Sequence, residues 1–258
     1  MVPYLAVLFL VFLNCCAVHA EGRNIINNSA KGSMSAVAGK GGLAVSGGVV
    51  ISGDTIIASD SDSVEKISEI KKIIKESFDK IIFENISGSV LVSIDNNNNE
   101  QSVYISASSS VQPAIESYVD DRSLKIFFKE DVVTNIPIYI AIKAKNIKSI
   151  SSKGSADIHM EKINGDIFEI KISGASSVQA EGNVDKLNAI ANGSGDFDLS
   201  SLKAKQCDIV INGSGDAVLN VTGKLSAQIN GSGDIIYYGN PSDVSRSVNG
   251  SGDIRPDI

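Results

Sequence analysis

Four carboxylates recur at the same place in a repeated run of sequence. Asp196 closes Asn192-Gly193-Ser194-Gly195, Asp216 closes Asn212-Gly213-Ser214-Gly215, Asp234 closes Asn230-Gly231-Ser232-Gly233, and Asp253 closes Asn249-Gly250-Ser251-Gly252. Two chemistries suit these residue types. In the first, glycine supplies positive φ at a sharp corner, and Asn and Asp side chains bond to nearby backbone groups. Stacked Asn amides would then also form a ladder. In the second, the Asp column holds Ca²⁺, which takes several oxygen ligands and would relieve repulsion between stacked carboxylates. Calcium-binding β-rolls repeat a similar Gly-Asp run on a much shorter period. The corner reading is therefore the stronger one. No metal site is assigned, and Asp196, Asp216, Asp234 and Asp253 remain the calcium candidates.

Other reactive groups are few. The chain has two His and three Cys. His19, Cys15 and Cys16 fall in an apolar leader, leaving His159 and Cys207. That excludes a disulfide framework, a Cys/His zinc site and a His-rich metal centre. Cys207 is in phase with Ile209 and Ile211, as a small buried hydrophobe would be. His159 sits on the outward phase between Ile158 and Met160, with no partner set in view. Glycosidic chemistry needs two carboxylates at a defined separation in a cleft, whereas these Asp residues repeat as corners do. No catalytic residue and no cofactor are assigned. The net charge of -7 over 258 residues argues against nucleic acid and anionic lipid as partners. Trp is absent and aromatics are 5%, so the core rests on Ile, Val, Leu and Ala, and few rings are left for stacking sugars.

The elements that position these corners follow from the repeat. Gly154-Ser155-Ala156-Asp157 and Gly174-Ala175-Ser176-Ser177 are earlier, degenerate copies, and the first glycines of the six copies are 20, 19, 20, 18 and 19 residues apart. Two residues before each lie Ser152, Ile172, Ala191, Ile211, Ile229 and Val248, and four before lie Ile150, Ile170, Ala189, Ile209, Ala227 and Arg246. Four residues after come Ile158, Val178, Phe197, Ala217, Ile235 and Ile254, and six after come Met160, Ala180, Leu199, Leu219 and Tyr237. Residues between these columns are mostly polar, so each copy reads as strand, corner, strand with alternate side chains on one side. One unit cannot bury its apolar face; stacked units can. The fold class expected is all-β, a single-stranded-type parallel β-helix (β-solenoid) with coils of about 19 residues, since a propeller needs longer repeats.

Ahead of the repeat, residues 1–20 read as a signal peptide ending at Val18-His19-Ala20. Residues 21–61 are a Gly/Ser-rich linker in which irregular strands are equally open. Val64, Ile67, Ile70, Ile74 and Phe78 follow a three-and-four spacing, so 62–80 is expected to be an amphipathic helix, placed to cap one end of the stack. From Ile81 the period becomes two, with Val90-Val92-Ile94, Val103-Ile105-Ala107, Leu124-Ile126 and Ile136-Ile138-Ile140-Ile142 as strands. No other segment is long and apolar enough to cross a bilayer as a helix.

These features together resemble the auto-transporter adhesin, head GIN domain family of bacteria. The resemblance is carried by the iterated Gly-Ser-Gly-Asp corners and by Tyr237-Tyr238-Gly239-Asn240-Pro241 before Gly250-Ser251-Gly252-Asp253-Ile254. It is carried too by the opening Phe78-Asp79-Lys80-Ile81 with Val90-Leu91-Val92-Ser93-Ile94. It covers about 76–258, the extent of the expected GIN-like β-helix domain. It implies an exported β-solenoid whose adhesion is a family label rather than an assigned chemistry. The function expected is a non-enzymatic adhesion or binding module, periplasmic, on the outer surface or secreted, taking a glycan or protein at a cell surface. The alternatives are a self-assembling scaffold joined through strand edges and, behind it, a polysaccharide-active β-helix enzyme.

Overall fold

Alternation of β-branched and small polar residues makes strands because branched side chains pack well on a pleated face. In the computed structural model, the residues described are 66–95, 100–130, 132, 134 and 136–257, with the backbone of five short strands before them. Those are β1 (Ile25–Asn27) and β2 (Ser35–Val37), which pair antiparallel, and β3 (Leu43–Val45), β4 (Val49–Ser52) and β5 (Thr55–Ala58), an antiparallel meander. The chain divides into two units, 1–67 and 68–258. The leader expected at 1–20 lies outside the described residues.

The second unit is a parallel stack. Its strands are β6 (Ile67–Ile74), β7 (Lys80–Ile94), β8 (Gln101–Ser108), β9 (Ile115–Asp120), β10 (Ser123–Phe128) and β11 (Tyr139–Ala144). There follow β12 (Ser149–Gly174), β13 (Ser177–Gly193), β14 (Phe197–Gly213), β15 (Ala217–Gly231), β16 (Ile235–Tyr238), β17 (Asp243–Gly250) and β18 (Ile254–Pro256). From β12 onward each coil lies in parallel register on the one before. One file runs Ile172, Ala191, Ile211, Ile229, Val248, and another runs Val178, Phe197, Ala217, Ile235, Ile254. The periodicity places like side chains over like, and the aliphatic files form one continuous core.

Spatial order departs from chain order at the other end. β7 lies inside the stack, with β12 on one side and β10 and β11 on the other, all parallel to it. Ile81 thus sits between Ile150 and Leu124, and Val90 between Ile158 and Ile140. Beyond that layer, β9 pairs antiparallel with β10, β8 pairs antiparallel with β11, and β6 follows β8.

The amphipathic helix expected over 62–80 is not formed. Its described part is β6 and the lead into β7, and the one helical turn among the described residues is a 3₁₀ turn at Gln112–Ala114. The three-and-four spacing does not mark a single buried face: Ile74 and Phe78 are buried, whereas Ile70 and Ile73 are 43% and 45% exposed. Isoleucines at 67, 70, 73 and 74 disfavour helix through their stiff χ1, and the unpaired side of β8 supplies a ladder for them instead.

Ile209 and Ile229 are buried, but Val248 in the Ile229 file is 40% exposed, because no further coil lies over β17 among the described residues. Arg246 occupies the inward column held by Ala227 in the coil below, and its guanidinium lies 5.2 Å from the Tyr237 ring centroid while donating to the Tyr237 hydroxyl. A charge turned inward on a terminal strand resists edge-to-edge pairing. Replacing it (Arg246→Val) should therefore turn a monomeric end into an associating one, read as a concentration-dependent rise in mass by sedimentation or light scattering. An unchanged mass would show that the charge does not guard this end.

Where the stack begins, Asp79 ties three segments. Its carboxylate accepts from Arg122 at 2.9 Å with Lys148 at 3.8 Å, and its carbonyl accepts the amide of Lys148 at 2.7 Å. The Arg122 hydrogen bond, with the positive charges of Arg122, Lys148 and Lys80, outweighs burial and holds this carboxyl below its ordinary value. A depressed folded value stabilises above the unfolded one, about pH 4, and that stabilisation is lost as pH falls through the folded value. Asp79→Asn should accordingly flatten the acid limb of a circular-dichroism titration below about pH 4. An acid limb identical to that of the parent would remove Asp79 from the account.

Candidate functional site

The corners are built by close approach. Gly213 and Gly231 have φ of 144° and 154°, and a Cβ on them would fall 1.9 Å and 1.8 Å from the carbonyl oxygen of the equivalent glycine one coil earlier. The second glycine of each run is closed off the same way without a positive φ: a Cβ on Gly233 would lie 1.9 Å from the Gly215 oxygen. Two glycine columns are needed because the carbonyls of both glycines, either side of the serine, point straight at the next coil.

Around the corner the polar files are laddered. Asn212 Nδ2 donates to Asn192 Oδ1 at 2.8 Å, Asn230 Nδ2 to Asn212 Oδ1 at 2.7 Å, and Asn249 Nδ2 to Asn230 Oδ1 at 3.0 Å. Each Asp serves the coil after it: the amides of Asp216, Asp234 and Asp253 donate to Oδ1 of Asp196, Asp216 and Asp234 at 2.8, 2.7 and 2.8 Å. One oxygen of these three carboxylates is thus committed to backbone. Among the described residues, no group of three or more His, Cys, Asp or Glu is gathered as metal ligands.

The two degenerate copies are explained by each other. Ser152 stands in a column otherwise filled by apolar side chains, and Ser176 stands where later copies carry glycine. Their hydroxyls bond at 2.8 Å inside the stack, and Ser176 Oγ also accepts the amide of Ala156 at 3.1 Å. Ser176→Ala orphans two buried groups and should cost about 2–4 kcal/mol. Adding Ser152→Ala should restore part of that loss in urea melts, because the second orphan is removed; strictly additive losses would deny the pairing.

Sequence reading missed two further corners. Gly88 has φ 139° and Gly182 has φ 139°, and a Cβ on Gly182 would lie 1.9 Å from the Ile163 oxygen. Gly88 escaped because a register shift between Lys153 and Gly154 sets it against Ala156 rather than Gly154. Gly182 marks the bend at the opposite side of the coil, where no fixed run of residues recurs.

Cys207 is fully buried in the file with Leu187 and Leu225, and burial pushes its thiol up to about 12, far from a nucleophile's range. His159 is half-buried on the outer face, with Nδ1 3.0 Å from Gln179 Oε1 and Nε2 3.7 Å from Glu161. Gln179 Nε2 donates in turn to Asp198 at 3.3 Å, so a polar file runs across three coils. No nucleophile points at this histidine among the described residues.

The outer face that begins at the Asp column is strongly acidic. Asp157, Glu161, Glu181, Asp198 and Asp216 all project from it, against Lys143 and Arg255. The bend on another side of the coil mixes signs, with Lys205 paired to Asp185 at 2.6 Å and Lys186 to Asp208 at 2.7 Å. A shallow cavity of about 360 Å³ lies among Gly165, Asn183, Asp185, Lys203 and Lys205. Its walls carry no pair of free carboxylates for acid-base work.

A family model described as "Putative auto-transporter adhesin, head GIN domain" matches residues 77–241. No curated protein matches the chain. Among solved structures, a "putative adhesin" from Bacteroides fragilis is 22% identical, covers 74% of this chain and 97% of its own, and superposes with a TM-score of 0.59. A "Putative lipid binding protein" from Parabacteroides distasonis is 21% identical over 74% of this chain and 97% of its own, TM-score 0.47. A "putative adhesin" from Parabacteroides merdae is 18% identical over 75% and 97%, TM-score 0.48. The first of these shares the fold.

Proposed function

Since the chain belongs to the family of auto-transporter adhesins with a head GIN domain, we propose that it is an exported, non-enzymatic binding module that attaches a cell to a surface partner, protein or glycan, through its flat strand faces. The carrying observation is the outer face bearing Asp157, Glu181 and Asp198: it is rigid, because every coil is bonded to the next by backbone and side-chain ladders, and it is mainly acidic. A stiff face can engage many weak contacts at once without ordering a loop for each, which lowers the entropic cost of binding. Export agrees with the leader read in the sequence and with the family's name. The scaffold reading is weakened by the inward charge of Arg246 on β17.

The test is direct. Microspheres coated with the purified chain should be retained on a subset of glycan-array features or cultured cell surfaces, and retention should fall as salt rises. Reversing the face with Asp157→Lys, Glu181→Lys and Asp198→Lys together should remove it. Retention no greater than that of albumin-coated spheres on every surface would overturn the proposal, as would hydrolysis of an arrayed glycan.

A further inference from the structure

The layer beyond β7 ends in two strands that each keep one free edge. β6 terminates the sheet after β8, and β9 pairs with β10 alone among the described residues. Between them runs a groove of about 450 Å³. Val103, Ile105 and Ile115 form its apolar floor, all buried, and Ile70 stands on the rim 43% exposed. This groove lies away from the corners and the acidic face on which the proposed function rests.

Two side chains of β6 reach across it. Lys72 Nζ donates to the main-chain carbonyl of Ser117, and Ser68 Oγ donates to Gln112 Oε1 at 3.5 Å. A carbonyl on an edge strand therefore takes an ammonium where a neighbouring strand would supply an amide. The reach also measures the gap. The five bonds of a lysine side chain span about 6 Å, so with a hydrogen bond added the Lys72 Cα lies no more than roughly 9 Å from the Ser117 oxygen. Two strand spacings come to about 9.6 Å, so the opening is no wider than one added strand would fill.

Charge narrows the occupant. Of the ionised groups on the groove, Glu116 is paired with Lys129 at 2.7 Å, and Lys72 has no carboxylate partner among the described residues. We propose that the groove takes an extended segment of a partner protein as an added β-strand. Its backbone bonds the free edge of β9, alternate apolar side chains rest on Val103, Ile105 and Ile115, and an acidic side chain meets Lys72. Strand addition to an exposed edge draws affinity from main-chain bonds and specificity from alternate side chains. An acyl chain would match the floor but leave the edge carbonyls without donors.

An acetylated heptapeptide alternating valine with aspartate and threonine is the probe, titrated into the full chain by calorimetry. Saturable one-to-one binding is expected, with slowed amide exchange in β9. The same peptide N-methylated at alternate residues should bind at least ten-fold more weakly, because its backbone can no longer pair. Lys72→Glu should weaken the aspartate peptide about ten-fold and favour a lysine analogue instead. No saturable binding, equal binding of the N-methylated peptide, or binding of oleate with none of the peptide would each overturn the proposal. None of these results bears on retention by the acidic face.

Discussion

Gly231→Ala is expected to lose about 2–6 kcal/mol of stability, a large share of what holds a domain folded. Two costs combine. The residue has φ 154°, a conformation that L side chains rarely adopt and that costs on the order of 1–3 kcal/mol. The new Cβ would also meet the Gly213 carbonyl at 1.8 Å, so the coils must part, and overpacking of this kind adds about 1–3 kcal/mol. Parting them breaks more than one contact, because the Asn ladder on one side and the Asp ladder on the other share the same coil spacing. Gly165→Ala is the internal control, since nothing lies within 4 Å of a Cβ there. It should stay within about 0.5 kcal/mol of the parent, as surface substitutions do. Urea melts of the two variants give the comparison, and similar midpoints would refute the close-approach account of the corners.

Phe197→Ala comes next, with an expected loss of about 3–5 kcal/mol. Phe197 is fully buried in the file between Val178 and Ala217, and it is the one aromatic in that file. Its small neighbour explains the size of the effect: the ring fills space that alanine at 217 leaves, so truncation opens a cavity with no flexible side chain to refill it. Phe197→Leu should cost less than half as much, because most of the volume is kept. In a stack with nearest-neighbour coupling, the loss should be accompanied by loosening of the adjoining coils. Hydrogen exchange would show it as faster exchange in β13 and β15 than in β7. Uniform acceleration over the whole domain would mean that the stack opens as one cooperative body instead.

What could be read from the sequence depended on repetition. The columns through Ile209, Phe197 and Cys207 were legible because alternation and an interval near 19 residues agreed over six copies, and agreement at two levels is what specifies a coil stack. The corner residues were legible for the same reason: Asn, Gly and Asp have few other reasons to recur together. The layer around β8, β9 and β6 was not legible. Each of its strands occurs once and leaves no period to detect: β9 forms a hairpin with the adjacent β10, and β8 pairs antiparallel with β11 further along the chain. At Ile67–Ile74 the local spacing even pointed to a helix, and the unpaired side of β8 decided otherwise. The groove and Lys72 lie in this same layer. Corners such as Asp216 could be named in advance, while the site with an unpaired cation could be found only in three dimensions.

The position of β7 has a consequence for biogenesis. It is made before all three strands that flank it, β10 and β11 on one side and β12 on the other. No prefix of the chain ending before residue 161 can satisfy both of its flanks. Pairing of β7 on both sides therefore waits for β12, whereas each coil after β12 needs only its neighbours. C-terminal truncations should shorten the stack coil by coil and leave a shorter folded remnant, whereas a break ahead of β12 should leave β7 with one flank unpaired.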